Sequence, residues 1–269
     1  MGDDTESPKK RWQPFKRFDG RIEGWRGFLM ETAVIGIGVL LALGAEQMVE
    51  RWTWDRKVAR AEEALRGEQE SMYTLMAERS MTTPCVLAQL DRLREHILTD
   101  ESERVPLEPT VDQLGSWVLR SPYRPMSDDV WQAANAEGTI GRMDYERQQL
   151  SALSYTLLEG FLNRQEQNFA SGTELMILTE PVTLDQTTRL RLLQTISQHR
   201  SRVLLQEIVA RQIMAVITRL DRAPEPEEVE AVLDQGSGTV AFCRENGYPL
   251  ADWREDPAQA GAPVEIESE

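Results

Sequence analysis

Two histidines, two cysteines and an aromatic content of 7% are all that this 269-residue chain holds of the residue types that most often carry chemistry. His96 and His199 stand apart from each other and from any spaced ligand set, so no metal is expected. Cys85 and Cys243 are too distant in sequence for a CxxC redox or zinc motif. No nucleophile elbow, zinc-protease helix motif, P-loop or dinucleotide fingerprint occurs, and the "GIG" at 36–38 lies inside an apolar run. The expectation is a protein that is not an enzyme and needs no cofactor. Long alternating runs are absent as well, which leaves no β-strand of convincing length.

Positive charge is also scarce: 30 Lys and Arg stand against 45 Asp and Glu, a net charge of −15. Before residue 28 the balance is reversed, with seven basic residues against five acidic ones. A slightly basic head therefore precedes a strongly acidic body. Such a body argues against a nucleic-acid partner, which needs cationic surface to neutralise phosphates.

What is there begins with "WRGFLMETAVIGIGVLLALGAEQMVERWTW", residues 25–54. Residues 32–45 carry no charge, and from residue 28 only Glu31 interrupts. A helix needs about 18–20 apolar residues to cross a hydrocarbon core. Three readings compete. A core helix of a soluble protein would show a polar face, and residues 32–45 show none. A cleaved signal has a cue in "ALG" at 42–44, small residues after a basic head. A retained span is favoured, because Trp25 and Phe28 stand before the run, and Trp52 and Trp54 after it, like interfacial belts. The helical pattern also continues through Met48, Val49 and Trp52, with no proline between the run and Pro84.

Seven Lys and Arg lie in residues 8–27 and five in residues 48–67, which by the positive-inside rule puts the head in the cytoplasm. Glu31, about one turn inside the cytoplasmic end, is read as reaching headgroups. Gly38 and Ala42 form a small-xxx-small pair through which two copies of the span could approach closely.

The body reads as helix almost throughout. Val58, Ala61, Leu65, Met72, Leu75 and Met76 recur at helical steps, as a stalk leaving the span. "TTPC" is expected to stop that helix, with Thr83 capping a second one that opens at Pro84. "TVDQ" (110–113) has capping-box spacing and predicts a short helix through Trp117. Ser127 is placed to cap "DDVWQAANAEG", which Gly138 ends. Two long helices follow, over about 145–179 and 184–220, the second after a capping box "TLDQ" (183–186). The fold class is therefore all-α: an N-terminal transmembrane helix continuing into a stalk, then an antiparallel bundle with short capping helices. The divisions are a cytoplasmic head (1–27), a transmembrane helix (28–47), a helical extracytoplasmic domain (48–251) and a disordered acidic tail (252–269).

The best candidate site is the short segment that gathers Asp128, Trp131, Asn135 and Glu137. Its plain reading is structural: first-turn acids on the helix dipole, a tryptophan anchor and a C-terminal cap. Its functional reading has Trp131 and Asn135 lining a groove for a peptide or small ligand. His199 falls on the apolar stripe of the last long helix and reads as a structural histidine. In an oxidising compartment Cys85 and Cys243 are expected to pair, since Cys243 lies in a short apolar segment that area alone would not hold.

"IGIGVLLALGAEQMVERW" and "VWQAANAEGTIGRMD", together with the basic head and the charged stalk, make the chain resemble a group of uncharacterised bacterial single-span membrane proteins. That resemblance implies anchoring in the bacterial inner membrane with a periplasmic body, and it leaves the mechanism open. The expected role is thus a non-enzymatic interaction or scaffold protein of the envelope, with the membrane, another envelope protein and a second copy as partners. A ligand-sensing bundle acting through a partner is the alternative, and an enzyme without a recognisable motif the third.

Overall fold

The computed structural model of the chain describes residues 25–99, 104–112 and 115–254. The basic head up to residue 24 and the tail from residue 255 lie outside the described residues. The chain divides into two units, which meet in sequence at Asp55 and Arg56. The first helix, α1 (Trp25–Leu98), contributes to both.

In the first unit, α1 carries an apolar stretch long enough to cross a membrane, and none of that window is buried. Val34, Ile35, Leu40 and Leu41 all stand between 60 and 70% exposed. A core helix of a soluble protein would have these side chains covered. The hydroxyls of the stretch are satisfied locally: Thr32 donates to the Phe28 carbonyl at 2.9 Å and Thr53 to that of Val49 at 2.8 Å.

The second unit is built on three long helices: the remainder of α1, α3 (Tyr145–Glu174) and α4 (Gln186–Arg219). Their hydrogen bonds set the directions. Gln69 reaches Ser151 and Ser154, and Arg79 reaches Gln165, so α1 and α3 run the same way. Asn168 bonds Gln206, while Ser80 bonds Glu207 and Arg200 bonds Asp91, so α4 runs against both. Shorter helices α2 (Asp129–Ala136), α5 (Pro226–Gly236) and α6 (Gly238–Glu245) complete it. The helix ends follow side-chain chemistry. Asp144 accepts from the amides of Glu146 and Arg147 at the start of α3, and Ser237 from that of Val240 at the start of α6.

Four expectations are corrected. First, α1 does not stop at "TTPC" but runs through Pro84 to Leu98. An internal proline costs about 3 kcal/mol. Packing on both sides outweighs that cost: Met76, Ala77, Cys85, Val86 and Leu90 are all at most 1% exposed. Thr83 does not cap; its hydroxyl turns back to the Arg79 carbonyl (2.9 Å) and to Glu207 (3.1 Å). Second, β1 (Thr110–Asp112) pairs antiparallel with β2 (Gly115–Trp117), in place of the short helix. Tertiary contact decides, because Trp117 packs edge-on against Phe169 of α3 with 5.1 Å between ring centroids. Third, the cap of α4 is Asp185 rather than Thr183, and its carboxylate accepts from the Thr188 amide at 2.7 Å. Fourth, ordered chain extends past residue 251. Trp253 is 5% exposed and packs T-shaped on Tyr73, while the Ala251 amide donates to the Met81 carbonyl.

The core has two main apolar clusters. One joins Leu65, Met72 and Met76 of α1 to Phe161 of α3, Ile213 of α4, Val229 of α5 and Trp253. The other joins Leu90 and Ile97 of α1 to Leu175, Leu192 and Ile196. Between them the same helices bury polar groups: Arg79, Ser80 and Thr83 on α1, Gln165 and Asn168 on α3, His199 and Gln206 on α4.

Candidate functional site

The four residues singled out on the Trp131 segment do not converge. Trp131 is half-buried and stacks on Tyr155 at 4.8 Å, with the planes 14° apart. Asp128 accepts from Gln132 at 2.8 Å, while the Ser127 hydroxyl takes the amide of Asp129. Asn135 and Glu137 are exposed at the end of α2, where Gly138 adopts φ +72 and ends the helix. None of the four is among the residues that line the second unit's cavity.

A cavity of about 210 Å³ opens instead in the polar layer of the second unit. Its apolar wall is Trp117, Leu119, Pro122, Tyr123 and Phe169. Phe169 anchors that wall, with Trp117 at 5.1 Å and Tyr123 at 5.3 Å between ring centroids. The opposite chemistry comes from Arg79, Arg120, Gln165, Asn168 and His199. The segment 119–121 is held to α1 by Gln89, which donates to the Arg120 carbonyl at 2.9 Å and accepts from its amide at 2.7 Å.

Arg79 is 3% exposed. Its hydrogen bonds go to neutral acceptors: the Ser121 hydroxyl (3.0 Å), the Pro122 carbonyl (2.7 Å) and Gln165 Oε1 (3.1 Å). It also lies over the Phe161 ring at 5.4 Å. The nearby carboxylates are engaged elsewhere. Glu78 takes Arg124 at 2.9 Å and the Ser237 hydroxyl; Glu207 takes Ser80, Thr83 and Arg211. Burial pulls the Arg79 guanidinium down to about 10, against the opposing pull of Glu78 and Glu207, so it stays cationic at neutral pH.

Several buried atoms of this lining have no hydrogen-bond partner among the described residues: Arg79 Nε, Asn168 Oδ1 and both ring nitrogens of His199. Groups of this kind normally find a partner, since leaving one unpaired costs about 1–3 kcal/mol. The orientation of Asn168 is set by a short chain of bonds. The Phe161 carbonyl can only accept, and Gln206 Nε2 donates to it at 3.4 Å. Gln206 Oε1 then accepts from Asn168 Nδ2 at 2.7 Å, which leaves Asn168 Oδ1 as the atom without a partner among the described residues.

His199, expected as a structural histidine, is 1% exposed and lines this cavity. Burial, then the charges of Arg202 and Arg79, push its imidazole down to about 4. The unfolded value is about 6.5. Above pH 6.5 both states are neutral and stability is at its full value. Between 6.5 and 4 only the unfolded chain binds the proton, so stability falls with falling pH. The loss levels off near pH 4 at about 3 kcal/mol. Urea unfolding at pH 7 and pH 4.5 checks this. His199→Gln should flatten the slope, and an unchanged slope would contradict the assignment.

The cavity's residues were missed by motif search because they belong to no motif. Their signal is positional. The α1 stripe 72, 76, 79, 83, 86 carries Arg79 and Thr83; the α3 stripe 158, 161, 165, 168 carries Gln165 and Asn168; the α4 stripe 196, 199, 203, 206 carries His199 and Gln206. Three helices thus place polar residues at apolar-stripe positions on one level. The sequence "WVLRSPY" (117–123), an aromatic-bearing loop, is the other signal. Comparison with protein-family models, with curated proteins and with solved structures finds no match to this chain.

Proposed function

We propose that this chain is a single-span protein of the bacterial inner membrane whose extracytoplasmic helical body binds a small ligand. One observation carries the reading: an aromatic-walled cavity whose lining residues Arg79, Asn168 and His199 each carry a buried polar atom with no partner among the described residues. Binding is favoured over catalysis by the lining itself. At the cavity the Arg79 guanidinium stays charged and the His199 imidazole is displaced to about 4, so neither is poised as an acid or base near neutral pH. The body would signal or assemble through another envelope protein, or through a second copy paired at Gly38 and Ala42.

Gly172 supplies the control. It lines the cavity, and a Cβ there meets no atom within 4 Å. Gly172→Leu therefore adds bulk at the site while replacing a glycine in the last turn of α3, whose backbone accepts a side chain without strain. A thermal-shift screen of the full chain against neutral, cationic and anionic small metabolites should find at least one compound that raises Tm. The same compound should leave Gly172→Leu unmoved. A screen in which no compound distinguishes the two proteins contradicts the reading.

The anchoring is supported by the uncovered apolar window and by the basic residues before it. A reporter active only in the periplasm, fused after Glu269, is expected to be active. A mature protein that starts near Ala45 would show a cleaved signal instead.

A further inference from the structure

We infer that the ligand is a small organic anion with an aromatic body, its charge received by Arg79. This rests on the reading of the cavity as a ligand site and adds the chemical class. The chain is acidic overall, with a net charge of −15, yet among the described residues no Asp or Glu lines the cavity. Arg79 and Arg120 both do. The local sign is thus inverted, and the inversion is built in. The two carboxylates nearest Arg79 in their effect, Glu78 and Glu207, have their oxygens occupied by Arg124, Ser237, Ser80, Thr83 and Arg211. Arg79 itself spends its bonds on neutral acceptors, and its Nε has no partner among the described residues. A carboxylate is the group that matches a buried, unneutralised guanidinium with a donor to spare.

The remaining polar atoms refine the class. A neutral imidazole offers one N–H and one acceptor, so His199 can donate to the same anion. Asn168 Oδ1, whose amide nitrogen is committed to Gln206, can only accept. It calls for one donor on the ligand, a hydroxyl or a ring N–H. Size sets the body. A cavity of about 150 Å³ accommodates benzene, and this one, at about 210 Å³, has room for a larger ring system. The faces of Trp117, Tyr123 and Phe169 suit a flat aromatic group.

The test is calorimetric titration of the full chain in lipid nanodiscs, with empty nanodiscs as blank. Three probes share one ring and differ in charge: indole-3-acetate, indole-3-acetamide and tryptamine. Indole-3-acetate is expected to bind at least tenfold more tightly than the amide, as a charge-assisted bond of about 1.5–3 kcal/mol implies. Arg79→Gln should erase that preference, and Gly172→Leu should abolish binding of all three. Should Arg79→Gln fail to fold, the charge series and Gly172→Leu decide alone. Equal or tighter binding of the amide or tryptamine, blocked by Gly172→Leu, would overturn the anion and leave the ligand site standing. Binding of none of the three would overturn the aromatic-anion inference, and the broader site would then stand or fall with the metabolite screen.

Discussion

Removing the Cys85–Cys243 disulfide is expected to lower the stability of the body more than any single point substitution. The bond spans 158 residues of sequence, and both cysteines are fully buried. By chain entropy a loop of this length is worth about 4–5 kcal/mol, with less usually recovered in practice. What the bond holds explains where the effect falls. Cys243 sits on α6, an eight-residue helix too short to persist alone. Released, α6 would uncover Val240, which is fully buried, and loosen the Ser237 contact to Glu78. It would also disturb the cavity wall, because a Cβ at Gly238 would lie only 2.9 Å from Arg120 Nη2. Cys85→Ala with Cys243→Ala should therefore lower Tm by about 10 °C, taking ~2–4 °C for each kcal/mol in a domain of this size. It should weaken ligand binding as well. Thermal unfolding with and without reductant checks the first effect. A wild-type Tm that reductant leaves unchanged, with both thiols alkylated only after reduction, would show the bond to be energetically idle.

Trp253→Ala is expected to cost about 3–5 kcal/mol, the usual range for deleting a large buried ring. Trp253 is 5% exposed within the same cluster as Phe161, Ile213 and Val229, and its ring meets Tyr73 edge-on at 6.2 Å. The effect should appear as a lowered urea midpoint with an unchanged slope. A shift of less than about 1 kcal/mol would place the ring outside the core. The sequence around it hides this role. "ADWREDPAQ" has one large apolar residue among acids and small residues, so its composition resembles a solvated tail. Contact with α1, through Tyr73 and the Met81 carbonyl, and with α5, where Arg254 pairs with Glu230, makes it part of the body.

The same distinction runs through the rest of the molecule. Long helices were legible because each repeats apolar residues at three- and four-residue steps over many turns, as Leu192, Ile196, Val203, Ala210, Ile213 and Ile217 do on α4. The pairing of Cys85 with Cys243 was legible from their even count and the presumed compartment. Local rules failed where distant packing outvoted them. Pro84 reads as a stop, but buried neighbours on both sides carry the helix across it. "TVDQ" reads as a helix start, but Trp117 pairs with Phe169, 52 residues away in sequence. The cavity was the least legible feature, since it joins a loop, α1, α3 and α4 whose order in sequence says nothing of their shared level. His199 was noticed as a residue and missed as part of a site.

The central claim, that the cavity beside His199 receives a ligand, has a direct readout, because the chain contains only two histidines. With imidazole Cε1 alone labelled with carbon-13, the full chain yields one ring signal from His199 and one from His96, assigned by His199→Gln. Indole-3-acetate added at pH 7 is predicted to move the His199 signal in a saturable manner, to leave His96 in place, and to move neither signal in Gly172→Leu. A His199 signal that stays fixed at saturating probe, or that moves equally in Gly172→Leu, would contradict the account.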